Sequence, residues 1–210
     1  MEGCLFRQPS FFYFCSSNTN NMKRLFIAIK IKPDEKLINL ISNLKLKLRN
    51  ENINWVNTGN IHLTLKFLGE TSEAKIPEIE FAVENICKKY SSFDIQISGL
   101  GIFGSKYQPK VLWCGINKNK SLEGIAKDII EAMDKIGYIK DRQNFVPHLT
   151  LARIKHIENK TTLFNEVNKY KDTYFQNETI NEIILYESIL KKTGAEYSVI
   201  SKFNLNENKG

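Results

Sequence analysis

The sequence predicts an α+β fold built from two similar lobes, each combining a sheet with covering helices. The tetrapeptide His-Leu-Thr-Leu begins at His62 and again at His148, and the interval between the copies is close to half the chain after Met22. Each copy lies in a run typical of a β-strand. The predicted elements are mostly strand pairs followed by a single amphipathic helix, which differs from the regular strand–helix alternation of a Rossmann sheet. Motif copies in similar element order indicate a pseudo-twofold arrangement of two sheet-plus-helix lobes.

The first half of the chain predicts a strand, a helix, two strands and a second helix. The first strand covers residues 25–29, and Pro33 with Asp34 begins the helix that follows. Strands at 53–56 and 61–68 are separated by a polar turn that contains glycine. The apolar residues of both helices recur every three or four positions, as one buried face requires: Leu37, Leu40, Ile41, Leu44 and Leu48, then Ile76, Ile79, Val83, Ile86, Cys87 and Tyr90.

The second half begins with alternating apolar residues at Phe93, Ile95 and Ile97, which predict a strand that leads into a glycine-rich loop at 99–105. No helix opens after these glycines, so they do not form a dinucleotide-binding fingerprint, and we expect them to let the loop bend near a cleft. The remaining predicted elements are strands at 111–116 and 146–154, a helix carrying Leu122, Ile125, Ile129, Met133 and Ile136, a shorter helix carrying Leu163, Val167 and Tyr170, and a closing hairpin of 183–190 and 197–205.

The composition is typical of a globular protein. With 210 residues and a hydrophobic fraction of 42%, the chain can bury a sizeable core as one domain or two fused lobes. No apolar run is long enough for a membrane helix, so we expect a soluble protein without a membrane partner. The four cysteines have neither metal-ligand nor disulfide-framework spacing, which favours buried thiols and a cytoplasmic location. The formal net charge of +7 favours an anionic partner only weakly, because lysines scattered over helices usually form a solvated surface.

Residues 1–21 differ from the rest of the chain. The apolar run at 11–15 is too short for the hydrophobic part of a secretory signal, and a polar tract follows it at 16–21. We therefore expect a disordered N-terminal extension at 1–21 and a single two-lobed domain at 22–210.

Each motif copy combines a titratable imidazole with a hydroxyl group. Residues two apart on a strand project from the same face, so His62 shares a face with Thr64, and His148 with Thr150. If the two strands lie side by side, these four side chains supply a general base, a general acid and two hydroxyl donors for a phosphate. A single His-x-Thr is usually only a half-buried polar pair, and the duplication is what favours catalysis. No metal or cofactor is indicated, because the motifs lack the nearby carboxylates or thiolates of a ligand set.

The residues around both motifs resemble the signatures of the 2H phosphoesterase superfamily. Residues 60–70, with Trp55 before them, resemble the first signature, and residues 145–153 resemble the second. Within the superfamily the chain is most similar to the RNA 2′,3′-cyclic phosphodiesterases, historically called 2′-5′ RNA ligases, over nearly all of the sequence after residue 21. This resemblance implies two pseudo-symmetric, antiparallel-rich lobes with a cleft between them that holds both histidines.

The resemblance also implies a reaction and a set of site residues. The expected function is metal-independent hydrolysis of RNA 2′,3′-cyclic phosphate ends to 2′-phosphates, by a protein that we expect to be a monomer. We assign His62 as the general acid that protonates the departing 3′ oxygen, and His148 as the general base that activates water. The two motifs are nearly symmetric, so the sequence leaves the reverse assignment open. Thr64, Thr150 and Arg153 are expected to bind the phosphate. Strict alternation would turn Arg153 away from His148, so its role requires a bulge or the strand end nearby.

Four further side chains have weaker assignments. Phe67, five residues after His62, is a candidate for stacking on a base. Strict alternation, however, puts it on the same strand face as Leu63 and Leu65, which favours packing in the core. His156 is expected in an exposed loop. Trp55 and Trp113 lie in predicted strands and are expected to be core or cleft-wall residues.

The sequence leaves three other functions open. The histidine pair could cleave 2′-5′-linked oligonucleotides, it could reversibly join RNA halves through a 2′-5′ bond, or the fold could bind nucleotides without turnover. Retention of both histidines and both threonines argues against a binding module, and water disfavours ligation. The signatures do not separate cyclic phosphates from 2′-5′-linked substrates.

Overall fold

The structure, a computed structural model, describes residues 21–139, 145–191 and 194–207. The helices of these ranges are α1 Glu35–Lys47, α2 Ile76–Cys87, α3 Lys120–Lys135 and α4 Lys160–Lys169, with short 3-10 turns at Thr58–Asn60 and Glu73–Lys75. The strands are β1 Met22–Lys30, β2 Asn52–Trp55, β3 His62–Ser72, β4 Phe93–Gly104, β5 Pro109–Ile116, β6 His148–His156, β7 Tyr174–Ile180, β8 Glu182–Lys191 and β9 Gly194–Asn204.

The strands form one antiparallel sheet that divides into two lobes. Its order is β7-β4-β5-β6-β3-β1-β8-β9, and β2 pairs with the free part of β6. Between β3 and β6 a single residue pair, Leu63 with Leu149, joins the lobe that carries the first motif to the lobe that carries the second. The predicted α+β class with two lobes is confirmed. The lobes are not the two halves of the chain, however, because the C-terminal hairpin β8–β9 completes the first-motif lobe and β2 joins the second.

All four helices pack on one face of this sheet. Each helix buries its apolar stripe against strand residues such as Ile27, Leu63 and Leu149, which gives one continuous core. Side-chain caps fix where α1, α3 and α4 begin. Asp34, for example, accepts a hydrogen bond of 2.9 Å from the Leu37 amide at the start of α1. On the opposite face, which we call the open face, the described residues form one small buried apolar cluster: Phe26, Ala28, Ile184 and Tyr186, with Tyr197 packed against it.

A β-bulge lies at the same position of each motif strand. In β3, Thr64 pairs with Ala28 but Lys66 pairs with Ile27, so Leu65 is the extra residue. In β6 the corresponding extra residue is Leu151, because Thr150 and Ala152 pair with consecutive residues of β5. A bulge reverses the face of the residues that follow it. The consequence appears three residues after each threonine, where Phe67 and Arg153 lie on the open face.

One prediction of local structure is wrong, one strand was missed, and two predictions fall outside the described residues. Residues 99–105 are not a loop, because β4 continues through them to Gly104. Gly99, at φ 72°, forms a bulge that preserves the pairing with β5. Strand β7 was not predicted, since its buried residues do not alternate: Phe175 and Gln176 are both buried. The predictions for residues 1–20 and for the hairpin tip at 192–193 lie outside the described residues, and Asn21 hydrogen-bonds to Glu73.

Candidate active site

The two motif histidines lie next to each other on the open face. His62 and His148 are the first residues of β3 and β6, and the Leu63–Leu149 pair sets these strands side by side. Because the strands are antiparallel, this register puts each histidine near the threonine of the other motif. All four motif side chains, those of His62, Thr64, His148 and Thr150, are half-buried. The structure therefore brings together the residues that the sequence selected.

Both imidazoles are held in the same orientation by backbone carbonyls. The Nδ1 atom of His62 lies 2.7 Å from the carbonyl oxygen of Asn60, and Nδ1 of His148 lies 2.7 Å from that of Val146. A carbonyl oxygen can only accept, so Nδ1 must carry the proton in both rings. Each Nε2 atom is then left to take or give a proton on the side away from the backbone.

Burial and neighbouring positive charge lower the pKa of both histidines. For His62 the largest cause is burial, which the hydrogen bond to the carbonyl of Asn60 opposes, and the charges of His148 and Arg153 lower the pKa further. For His148 the causes that lower the pKa are burial and the charge of Arg153. Since the charge of protonated His148 lowers the pKa of His62, the two imidazoles do not titrate independently.

Arg153 reaches the site because of the bulge at Leu151. After the bulge it pairs with Val111 and faces the open side of the sheet, where its side chain is exposed. Its charge acts on both histidines and also lowers the pKa of Tyr197. The condition that the sequence set for this residue, a bulge in its strand, is met.

Aromatic rings form the walls around each imidazole. The ring of His62 is 5.1 Å from that of Phe26 and meets the ring of Tyr197 edge-on, at 5.1 Å. The ring of His148 meets Phe103 edge-on at 4.7 Å. Trp113 is 6.3 Å from His148, which confirms it as a cleft-wall residue.

Phe67 is not a core residue, and the prediction of core packing is wrong. Its side chain is 43% exposed on the open face, where its ring stacks on Phe26 at 5.6 Å. The guanidinium of Arg24 lies 5.4 Å from the centre of the Phe67 ring. The bulge at Leu65 explains the error, because it reverses the alternation on which the prediction rested. Sequence reasoning also missed Arg24, Phe26, Phe103 and Tyr197 as site residues, and only a cross-strand register could have identified them.

The indole ring of Trp113 covers Gly101, its partner residue on β4. A Cβ atom at Gly101 would come within 2.1 Å of the indole ring, so only glycine fits opposite Trp113. Trp55 belongs to β2 and packs against the core, as predicted. His156 is exposed as predicted, but it is the last residue of β6 and does not lie in a loop.

The remaining chemistry of the described chain lies away from the histidines. Burial raises the pKa of the Cys87 thiol to about 12 and also raises that of Cys114, which leaves both thiols protonated and unreactive. Within the described residues, no three side chains of His, Cys, Asp or Glu are grouped so that they could hold a metal ion. None of the helices in those same ranges has the length and apolarity to cross a membrane.

Two His-x-Thr strands side by side on the open face of an antiparallel sheet place the protein among the 2H phosphoesterases. A family model described as LigT like Phosphoesterase matches residues 29–113. The chain is 38% identical over 154 residues to the RNA 2′,3′-cyclic phosphodiesterase of Aquifex aeolicus. This alignment covers 72% of this chain and 81% of that protein. Over 180 residues the chain is 35% identical to the protein of the same name from Methanocaldococcus jannaschii, covering 86% and 99%.

The fold comparison agrees with the sequence comparison. The protein TT0787 of Thermus thermophilus superposes with a TM-score of 0.72 at 23% identity, covering 88% of this chain and 99% of that one. The apo form of E. coli LigT superposes with a TM-score of 0.70 at 22% identity, covering 89% and 99%. The chain belongs to the LigT-like phosphoesterase family, in the branch whose curated members are called RNA 2′,3′-cyclic phosphodiesterases. It is therefore an enzyme of the hydrolase class.

Proposed function

We propose that the protein hydrolyses RNA 2′,3′-cyclic phosphate ends to 2′-phosphates by two-histidine acid–base catalysis. The observation that carries this proposal is the pair of imidazoles on adjacent strands, each with Nδ1 bonded to a carbonyl and Nε2 left for the substrate. Two relatives, 38% and 35% identical to this chain over the aligned residues, carry the name RNA 2′,3′-cyclic phosphodiesterase, which supports the same substrate class.

Opening the cyclic phosphate requires two proton transfers on opposite sides of phosphorus. His148 takes a proton from the attacking water through Nε2, and His62 gives a proton to the departing 3′ oxygen. The carbonyl that accepts from Nδ1 of each ring stabilises the imidazolium form when it arises. Two fixed imidazoles on neighbouring strands thus supply both transfers without a metal ion.

Three further groups bind the phosphate. The hydroxyls of Thr64 and Thr150 donate to the non-bridging oxygens, since they share the open face with the histidines. Arg153 adds a positive charge, which acts on both imidazoles and so lies close to where the phosphate must sit.

The exposed ring of Phe67, with Arg24 beside it, supplies an aromatic surface for the terminal base. Phe67 stacks on Phe26, which itself contacts His62, so this surface adjoins the proposed phosphate position. Base stacking on such a ring tolerates every base, which suits an enzyme that acts on RNA ends of varied sequence. We further propose that the protein acts as a monomer in the cytoplasm, where its buried thiols stay reduced.

One experiment tests the proposal against its alternatives. Purified protein is incubated with an RNA ending in a 2′,3′-cyclic phosphate and, separately, with 2′-5′ oligoadenylate, and the products are followed by phosphorus NMR. A 2′-phosphate from the first substrate alone is the expected result. Turnover of oligoadenylate alone would assign the site to 2′-5′ linkages, and binding without turnover of either would leave a nucleotide-binding module. Joining of RNA halves to a 2′-5′ product would indicate a ligase.

A further inference from the structure

The two halves of the proposed site are nearly equivalent, yet the reaction is not symmetric. Each half offers an imidazole bonded to the carbonyl two residues before it, a threonine hydroxyl and an aromatic ring edge-on to the imidazole. Either imidazole could therefore act as the acid. For a substrate bound in one orientation, the choice of acid decides whether the 3′ or the 2′ ribose oxygen leaves. It thereby decides whether a 2′-phosphate or a 3′-phosphate is produced.

One hydroxyl distinguishes the two halves. The ring that meets His62 edge-on belongs to Tyr197, with centres 5.1 Å apart and planes at 85°. The ring that meets His148 in the same way belongs to Phe103, at 4.7 Å and 90°. The ring edge-on to His62 at this distance thus carries a hydroxyl, whereas its counterpart beside His148, Phe103, carries no polar group.

Tyr197 is fixed relative to His62 by two contacts. Its ring packs edge-on against Phe26 at 5.0 Å, and Phe26 also contacts the ring of His62. Two residues earlier on β9, the carbonyl of Ala195 accepts a hydrogen bond of 3.1 Å from the side chain of Asn60, whose own carbonyl orients His62. Tyr197 and His62 also line one small cavity of about 100 Å³, together with Lys30 and Tyr186.

Positive charge near Tyr197 opposes the effect of burial on its pKa. Burial raises its pKa, while the guanidiniums of Arg153 and Arg24 act in the opposite direction. The neighbouring Tyr186 differs in this respect, because burial and the carboxylate of Glu182 both raise its pKa. Because burial raises its pKa, the Tyr197 hydroxyl stays protonated and can donate a hydrogen bond. Its ring lies edge-on beside the imidazole of His62.

We propose that Tyr197 is a catalytic residue that makes the His62 side the leaving-group side. Its hydroxyl donates a hydrogen bond to the 3′ oxygen as negative charge develops there. This inference rests on the proposed function. In the step, the oxygen of water bonds to phosphorus and the bond from phosphorus to the 3′ oxygen breaks. His148 takes the water proton, His62 protonates the 3′ oxygen, and Tyr197 keeps its own proton.

The test compares Tyr197→Phe with Tyr186→Phe on 2′,3′-cyclic AMP. Both changes remove one phenolic hydroxyl from the same aromatic cluster, but Tyr186 is 7% exposed and its hydroxyl is influenced by Glu182 instead of the arginines. We expect Tyr197→Phe to lower kcat by about ten- to hundredfold with KM nearly unchanged, as loss of a donor to developing charge does. The share of 3′-AMP among the products should rise, and the rate deficit should shrink for an analogue with sulfur as the 3′ leaving atom. Tyr186→Phe should keep the wild-type rate and product ratio.

The outcomes separate this inference from the proposed function. A wild-type protein that opens no cyclic phosphate overturns both. An active wild type with Tyr197→Phe unchanged in rate and product ratio overturns the inference alone. So does a slow Tyr197→Phe protein whose product ratio and leaving-group dependence match the wild type, because that result assigns the ring a purely structural role. Thermal melting of each variant confirms that equal amounts of folded protein are compared.

Discussion

At the scale of single residues, the protonation state of two imidazoles controls the proposed chemistry. We expect His62→Ala and His148→Ala each to lower kcat/KM by at least about a thousandfold, because each change removes one proton carrier from a pair that acts as a unit. His156→Ala is the matched control, since His156 is exposed at the far end of β6. Steady-state rates on 2′,3′-cyclic AMP and circular dichroism measure the effect. Near-full activity in either motif variant, with His156→Ala also active, would contradict the assignment.

The same pair predicts a bell-shaped dependence of kcat/KM on pH. The reaction needs one imidazole neutral and one protonated, and the limbs report the macroscopic constants of the pair in the free enzyme. Burial and the charge of Arg153 lower the pKa of both His62 and His148. As pH rises, the acid imidazole therefore loses its proton below the ordinary histidine pKa of about 6.5. We expect the maximum of kcat/KM at a pH below that value.

Rate measurements across the pH range check this expectation. The residual rate of each histidine variant should lose one limb. Because Arg153 lowers both constants, Arg153→Ala should move the whole bell toward higher pH. A flat profile, with chemistry shown to limit the rate, would contradict the two-histidine mechanism.

At the scale of elements, the two bulges decide which side chains reach the site. The sequence predicts the strands, helices and motif faces because apolar periodicity records which residues must be buried. Apolar periodicity does not show where a strand contains the extra residue of a bulge. At each bulge two consecutive residues are buried, Leu65 with Lys66 and Leu151 with Ala152. Strict alternation consequently placed Phe67 in the core and Arg153 on the wrong face. The long-range register that corrects both is set by pairing with β1 and β5.

Arg153→Ala tests what the bulge in β6 achieves. Loss of one charged contact to the phosphate should lower kcat/KM by about ten- to hundredfold, with little loss of stability, because the side chain is exposed. Lys155→Ala is the control: it removes an exposed cation two residues further along the same strand and should change kcat/KM less than about twofold. Equal effects of the two substitutions, measured on the same substrate, would mean that Arg153 contributes only general positive charge.

At the scale of the whole molecule, the sequence predicted the number of lobes but not how the chain divides between them. The duplicated motif and the element order imply two similar lobes. The local sequence of β8 and β9 predicts a hairpin but does not indicate which strand the hairpin joins. In the structure β8 pairs with β1, although the same hairpin could extend any free sheet edge. This pairing is what brings Tyr197 to His62, and it explains why the aromatic wall could not be predicted.

Deletion of residues 1–21 tests whether the catalytic unit begins at Met22, the first residue of β1. We expect activity to be unchanged and the melting temperature to fall by no more than about 3 °C. The deletion removes two exposed hydrogen bonds between Asn21 and Glu73, which together contribute about 1 kcal/mol or less. A shorter deletion of residues 1–20 keeps Asn21 and serves as the control. A drop of many degrees in the shorter truncation would show that the removed segment packs on the domain.

The mechanism as a whole predicts that activity survives chelation. A metal ion in a phosphoesterase activates water and stabilises charge on the leaving oxygen. Here His148 would perform the first task, and His62 with the Tyr197 hydroxyl the second, while Arg153 and the threonines bind the phosphate oxygens. We therefore expect kcat/KM on 2′,3′-cyclic AMP to stay within about twofold of its starting value after prolonged dialysis against EDTA. A zinc-dependent phosphatase dialysed in parallel confirms that chelation was effective. Activity that disappears on dialysis and returns with a divalent ion would replace the two-histidine mechanism with a metal-assisted one.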